Sequence, residues 1–140
     1  MKVEFKKLVE NAVIPTKAHP TDAGFDLTCI SFEYDKNDLI TYHTGIAMAI
    51  PENHVGLLFP RSSVFKQDLI LSNCVGVIDS SYRGEIMLKF RTTQPFSKRY
   101  DVGERVGQLI IMPYPTIEFS EVDSLPESDR GEGGYGSSGK

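Results

Sequence analysis

The chain closes on Arg130-Gly-Glu-Gly-Gly-Tyr-Gly-Ser-Ser-Gly-Lys140, which sets one arginine, one aromatic ring and two hydroxyls among five of the chain's twelve glycines. A guanidinium grips phosphate through paired N–H donors and a ring stacks on a base. Glycines let backbone N–H groups crowd around an anion. These are the parts of a lid for a phosphorylated nucleoside. They are equally the parts of a plain Gly/Ser-rich terminus, too poor in apolar surface to order itself. Both readings predict a tail that is mobile when free, and taken alone the plain one is favoured.

Four further segments carry residues with chemical potential. Gly76-Val-Ile-Asp-Ser-Ser-Tyr-Arg-Gly-Glu85 reads as a hairpin whose first strand runs into Asp79. A carboxylate there can face a pocket and act as general base on water, or it can bond turn amides. Spacing alone favours the turn. Tyr82 is either a pocket wall or a half-buried sheet tyrosine. Pro60-Arg-Ser-Ser63 opens a short helix, where free N–H groups, two hydroxyls and an arginine make an anion site. A serine cap beside an exposed arginine explains it as well. In Asp22-Ala-Gly-Phe-Asp-Leu27, one carboxylate can hold Mg²⁺ through water, an ion that needs few protein oxygens. The alternative is turn chemistry for Asp22 and a surface site for Asp26. Gln108, in Gly103-Glu-Arg-Val-Gly-Gln-Leu-Ile110, either presents its amide to a ligand or is a satisfied buried glutamine.

The elements that must position these residues are strands. Val3, Phe5 and Leu8-Val9 suggest a first strand. Ile46, Met48 and Ile50 alternate in a second, and Val55, Leu57 and Phe59 in a third stopped by Pro60. Ile86, Leu88 and Phe90 face one way while Lys89 and Arg91 face the other. Arg105 to Met112 holds another strand, and Ile117 with Phe119 a last short one. Gly and Pro breakers every eight to twelve residues suit a sandwich, jelly roll or barrel. One helical turn, Val64-Phe-Lys-Gln67, is expected, capped by Ser62 or Ser63. A composition shift near Ser124 marks the start of the tail.

With 140 residues the chain makes one domain with a real core. Its net charge of −4 argues against a nucleic-acid groove, which needs a basic face. An acidic protein that binds a polyphosphate must do so with locally placed arginines, amides and a metal ion. Cys29 and Cys74 lack metal-ligand spacing and read as buried thiols in a reducing compartment. His19, His43 and His54 are not clustered, which favours surface or turn roles over catalysis. The charged start Met1-Lys-Val-Glu-Phe-Lys-Lys does not read as a signal peptide, and no apolar run approaches membrane-spanning length. A cytoplasmic location is expected.

Five segments in order resemble the five signature motifs of the trimeric dUTP diphosphatase (dUTPase) family. They are Ala23-Gly-Phe-Asp-Leu27, Pro60-Arg-Ser-Ser63, Gly76-Val-Ile-Asp-Ser-Ser-Tyr-Arg-Gly84, Arg105-Val-Gly-Gln-Leu-Ile110 and Arg130-Gly-Glu-Gly-Gly-Tyr-Gly-Ser-Ser-Gly139. The resemblance runs from residue 23 to the end of the chain. It implies an all-β jelly roll over residues 1–123, a mobile lid over 124–140, and a homotrimer whose active sites are shared between subunits. It implies Mg²⁺ as cofactor and hydrolysis of dUTP to dUMP and pyrophosphate. That activity limits uracil incorporation into DNA and supplies dUMP for thymidylate synthesis.

The resemblance also assigns roles. Asp79 matches the base that activates water against the α-phosphorus. Asn73, Gly76 and the backbone of Val77, Ile78 and Asp79 match the uracil-reading edge. Tyr82 matches the ring under the deoxyribose, and Met87 lines the sugar and base pocket. Arg61, Ser62, Ser63 and Gln108 match phosphate contacts, and Asp26 the residue that orients magnesium-bound waters. Arg130 matches the γ-phosphate clamp. Tyr135 matches the stacking ring, and Gly134, Gly136, Ser137 and Ser138 the tail's remaining contacts. Ser63 and Tyr135 stand where many members have glycine and phenylalanine. Two rivals stay open: a dCTP deaminase-like enzyme, for which Glu85 is the nearby glutamate, and a non-catalytic nucleotide-sensing module on the same fold.

Overall fold

A computed structural model of the chain describes residues 1–35, 38–94 and 98–134. Ten strands follow one another: β1 Glu4–Lys7, β2 Phe25–Thr28, β3 Ser31–Tyr34, β4 Leu39–His43, β5 Ile46–Ala49, β6 His54–Phe59, β7 Leu69–Leu71, β8 Gly76–Ile78, β9 Met87–Thr92 and β10 Arg105–Pro113. They form two four-stranded sheets, ordered β2-β10-β6-β8 and β3-β4-β9-β7, with β1-β5 as a separate pair. Every pairing is antiparallel. Sequence neighbours are often not sheet neighbours, as a jelly roll requires. No helix among the described residues is long and apolar enough to cross a membrane.

The core is built by alternation. Ile86, Leu88 and Phe90 are buried as expected, packed with Leu27, Ile40, Ile46, Leu58, Val106 and Leu109. Each such aliphatic contributes about 1.5–3 kcal/mol relative to exposure. Tyr42 is fully buried between Phe32, Phe90 and Tyr100. Its hydroxyl accepts from the Tyr100 N–H at 3.2 Å and donates to the Tyr100 carbonyl at 3.3 Å, so the phenol enters the core without an orphaned polar atom.

Several sequence expectations need correction. Gly76–Glu85 is not a hairpin: β8 pairs with β6, whereas β9 pairs with β4 and β7. The turn after Asp79 therefore carries the chain from one sheet to the other. In β6 the buried face is Gly56 and Leu58, not Val55, Leu57 and Phe59. Gly56 hides that face from the sequence, because Ile50, Ile78 and Leu109 fill the space its side chain would take. Leu8 and Val9 lie beyond β1, all four residues of which are exposed. Ile117 and Phe119 form no strand and are 66% and 95% exposed. Pro113 ends β10 opposite His54, Pro115 lacks an N–H donor, and among the described residues no strand pairs with the chain beyond.

The helical turn is 3₁₀, spans Ser62–Lys66 and is capped by Arg61 without a side-chain bond. Neither Ser62 nor Ser63 caps it because both lie inside the helix; the Ser63 hydroxyl accepts from the Arg61 guanidinium at 3.4 Å. Both thiols are free, but only Cys29 is buried; Cys74 is exposed. Strands β3, β4 and β7 escaped the sequence reading. All are short; polar residues such as Ser31, Glu33, Thr41 and His43 interrupt the apolar pattern of β3 and β4, and β7 is only the three residues Leu69–Leu71.

Candidate active site

Asp26 on β2, Gln108 on β10 and Phe59 on β6 stand in one cross-sheet row. Just past Phe59, Pro60 stops the strand, and Arg61 turns back toward the row. The Arg61 Nε lies 3.3 Å from Asp26 Oδ1. Gln108 Nε2 donates to the Pro60 carbonyl at 3.0 Å, pinning the same corner. Gly24 lets Gln108 lie flat: a β-carbon there would fall 2.3 Å from Gln108 Oε1. So Asp26, Arg61, Ser63 and Gln108, predicted from three separate segments, meet in one cluster, with Ser62 exposed beside it.

A further residue joins them that spacing did not single out. Arg105 NH1 lies 2.8 Å from Asp26 Oδ2. Regular alternation would send residues 105 and 108 to opposite faces. The register shift between Arg105 and Gly107 inserts an extra residue and turns Arg105 onto the face of Gln108 and Asp26. Its place three residues before Gln108 in a predicted motif was the available signal. One carboxylate thus holds two guanidiniums at fixed positions, a preorganised anion site.

The donor set also bears on metal binding. Among the described residues no three His, Cys, Asp or Glu side chains gather to cage an ion. Asp26 alone offers a carboxylate to the cluster. Both its oxygens already face arginines, so it suits only the waters of a Mg²⁺ ion, which keeps several of them and takes phosphate oxygens directly.

The second group lies on β8 and its following turn. β8 is an edge strand with Val77 61% exposed, so one side of its backbone is open to a ligand. The Asn73 amide sits against Gly76. Asp79 is exposed, and its carbonyl accepts from the Tyr82 N–H at 3.0 Å. Tyr82 is 40% exposed, so its ring is available. Met87 is half-buried at the start of β9, opposite His43.

The two groups do not meet within one chain. The pairs Leu58 with Gly76 and Gly56 with Ile78 put Asp79 level with Val55. That is four residues along β6 from the row of Asp26 and Gln108, or about 13 Å, with β6 itself intervening. Among the described residues no hydrogen bond or ion pair links Asp79 to the arginine cluster. Arg130 belongs to neither group; its Nε donates to the Gly133 carbonyl at 2.6 Å. Gly134 is half-exposed beside it. Tyr135, Gly136, Ser137 and Ser138 lie outside the described residues.

Comparison with known proteins identifies the family. A model of the dUTPase family matches residues 10–139. A deoxyuridine 5′-triphosphate nucleotidohydrolase of Leifsonia xyli is 41% identical over 130 residues, covering 90% of this chain and 85% of that protein. The dUTPase of Staphylococcus bacteriophage 80alpha, solved with dUPNHPP, superposes with a TM-score of 0.88 at 30% identity, covering 99% of each chain. A dUTPase from phage phi11 of S. aureus, whose structure details the coordination of a structural Mg(II) ion, gives a TM-score of 0.76 at 25% identity, covering 89% of this chain and 99% of that one. By its jelly roll, the family match over residues 10–139 and these relatives, the chain belongs to the dUTPase family.

Proposed function

We propose that the protein hydrolyses dUTP to dUMP and pyrophosphate, removing a source of uracil in DNA and supplying dUMP for thymidylate synthesis. The observation that carries this reading is the pairing of an open strand edge ending in a carboxylate with a separate, preorganised arginine cluster, in a dUTPase-family fold. The backbone of Val77, Ile78 and Asp79, with Asn73 and Gly76, reads the hydrogen-bonding edge of uracil. Tyr82 packs under the deoxyribose and excludes a 2′-hydroxyl, and Met87 closes the pocket. Arg61, Ser62, Ser63 and Gln108 hold the phosphates. Asp79 takes a proton from water as its oxygen bonds the α-phosphorus. The bond from that phosphorus to the bridging oxygen breaks, and pyrophosphate leaves.

Mg²⁺ fits at Asp26 through its waters, and when bound it neutralises phosphate charge and orients the chain of phosphates. Residues 124–140 act as a mobile lid on the 1–123 domain. In it Arg130 clamps the γ-phosphate, Tyr135 stacks on the base, and Gly134, Gly136, Ser137 and Ser138 supply the remaining contacts. Closure shuts out bulk solvent while keeping the one water that attacks. Because Asp79 and the arginine cluster lie apart in one chain, we place the working site between subunits of a homotrimer. Two free cysteines suit the cytoplasm or another reducing compartment.

Glu85 argues against a deaminase, because both its carboxylate oxygens are engaged, by the Gly45 N–H and by His43. A non-catalytic sensor is disfavoured by the presence of Asp79 at the strand end. The test is product analysis with dUTP, dCTP, dTTP and UTP, with and without Mg²⁺. Release of pyrophosphate from dUTP alone, dependent on Mg²⁺, is expected. Ammonia from dCTP, or binding of dUTP without turnover, would replace this reading with one of its rivals.

A further inference from the structure

Behind Tyr82 lies a set of contacts that the reaction itself does not use. Glu85 Oε1 accepts the Gly45 N–H at 2.8 Å, and Oε2 lies 2.9 Å from His43 Nδ1. A carboxylate only accepts, so the ring proton sits on Nδ1 and is donated to Glu85. Beside them the Thr44 hydroxyl donates to the Ile86 carbonyl at 2.6 Å, and the Ile86 N–H donates to the Ile46 carbonyl at 2.8 Å. Residues 43–46 thus grip residues 85 and 86 through four hydrogen bonds. The gripped residue, Glu85, in turn accepts the Tyr82 hydroxyl on its own carbonyl at 2.9 Å. The ring has little other room: a β-carbon on Gly84 would fall 2.4 Å from the Tyr82 oxygen. Tyr82 is seated between Gly84 and the Glu85 carbonyl, and that seat is as firm as the anchor of Glu85.

We propose that His43, acting through Glu85, is a positioning residue for the Tyr82 ring and so sets how strongly the site discriminates 2′-deoxyribose from ribose. This rests on the reading of Tyr82 as the sugar platform. His43 pairs across the sheet with Met87 and shares its face, which puts it at the back of the same pocket. Among the described residues no hydrogen bond or ion pair joins it to Arg61, Ser62, Ser63, Gln108 or Asp79. The charged groups that face it are Glu85 and, 3.8 Å from Nε2, Glu33 of β3. A sterically gating ring discriminates only while it cannot yield. Ribose carries one extra oxygen, so a displacement of the ring by a fraction of an ångström is enough to admit it.

The test compares kcat/KM for dUTP and for UTP in wild type, His43→Ala, His43→Asn, Tyr82→Phe and the His43→Ala/Tyr82→Phe double variant. His43→Ala should narrow the dUTP-over-UTP ratio about fivefold to tenfold, the scale of one ordinary net hydrogen bond. Its kcat on dUTP should stay within about twofold, since Asp79 is untouched. His43→Asn should restore the ratio, because its amide N–H can occupy the place of Nδ1–H. Tyr82→Phe keeps the ring but loses the bond to Glu85, so it should narrow the ratio similarly. Adding His43→Ala to it should then change little, because both act through one link. An unchanged ratio in His43→Ala, even with a lowered melting temperature, would make His43 a structural residue only. Independent, multiplying effects of the two substitutions would likewise overturn the coupling. If wild type turns over dUTP and UTP alike, the sugar-platform reading itself fails, and the inference falls with it.

Discussion

Asp26 carries two guanidiniums on one carboxylate, Arg61 at 3.3 Å and Arg105 at 2.8 Å. At this scale position matters more than net charge, which for the whole chain is −4. Gly24 shows how little slack there is. Gly24→Ala should push Gln108 away from the Pro60 carbonyl and disturb the corner that aims Arg61. We expect kcat/KM on dUTP to fall on the order of 10²-fold, the cost of misplacing a binding group by about an ångström. The melting transition should remain cooperative; a variant that melts normally and turns over normally would show that Gln108 does not serve the phosphates.

Asp79→Asn should leave folding and nucleotide binding intact while lowering turnover roughly 10²-fold or more, the scale of a lost general base. Near-normal rates in the folded variant would remove it from the reaction. The thiols give a check on burial. Desolvation pushes the Cys29 thiol up to about 11, whereas Cys74 is exposed. A disulfide reagent at neutral pH should therefore titrate one thiol in the native protein and two after denaturation. Single residues were only partly legible in the sequence. Asp79, Arg61 and Gln108 each had an ordinary turn, cap or core explanation at their own spacing, and only their joint resemblance selected the functional one. Arg105 needed a β-bulge that no periodicity reveals.

Elements were legible where alternation was clean and one face was buried. Strand β9 fits that description, whereas β10 was legible from its continuous apolar run Leu109–Met112. The segment Gly76–Glu85 reads locally as a hairpin, because its apolar run, turn and second run are all present. What local pattern lacks is the partner of each strand, and here the partners lie in different sheets. The same limit hid β3, β4 and β7, whose burial is set by neighbours distant in sequence. The C-terminal element poses the opposite problem. After Pro113 the described residues hold no strand, and Arg130 bonds only its own turn. Deleting 130–140 should therefore leave the melting temperature within a few degrees of wild type while sharply lowering catalysis. A non-hydrolysable dUTP analogue should protect the intact tail from limited proteolysis. Unchanged cleavage with the analogue bound would rule out closure of the tail over the site.

The whole molecule raises the question of where the site is. In one chain, sheet register holds Asp79 about 13 Å along β6 from the Asp26–Gln108 row. A triphosphate cannot bend the sheet, which is why the proposed site joins Asp79 of one copy to the arginines of another. Likewise Arg130 engages neither group of its own chain. If a trimer draws Asp79 from one subunit and the lid from another, two dead variants should rescue each other. Asp79→Asn lacks a base, and a chain ending before Arg130 lacks a lid. Each homotrimer should be nearly inactive. Mixed trimers, formed by co-expression or joint refolding, should contain some sites with an intact base from the truncated chain and an intact lid from the other. Activity should then return in proportion to the heterotrimers formed, which mass spectrometry of the intact assemblies can count. Because the two chains differ in length, their ratio within each trimer is directly readable. Heterotrimers that assemble without recovered activity would place base and lid on the same chain, and the shared site would have to be abandoned.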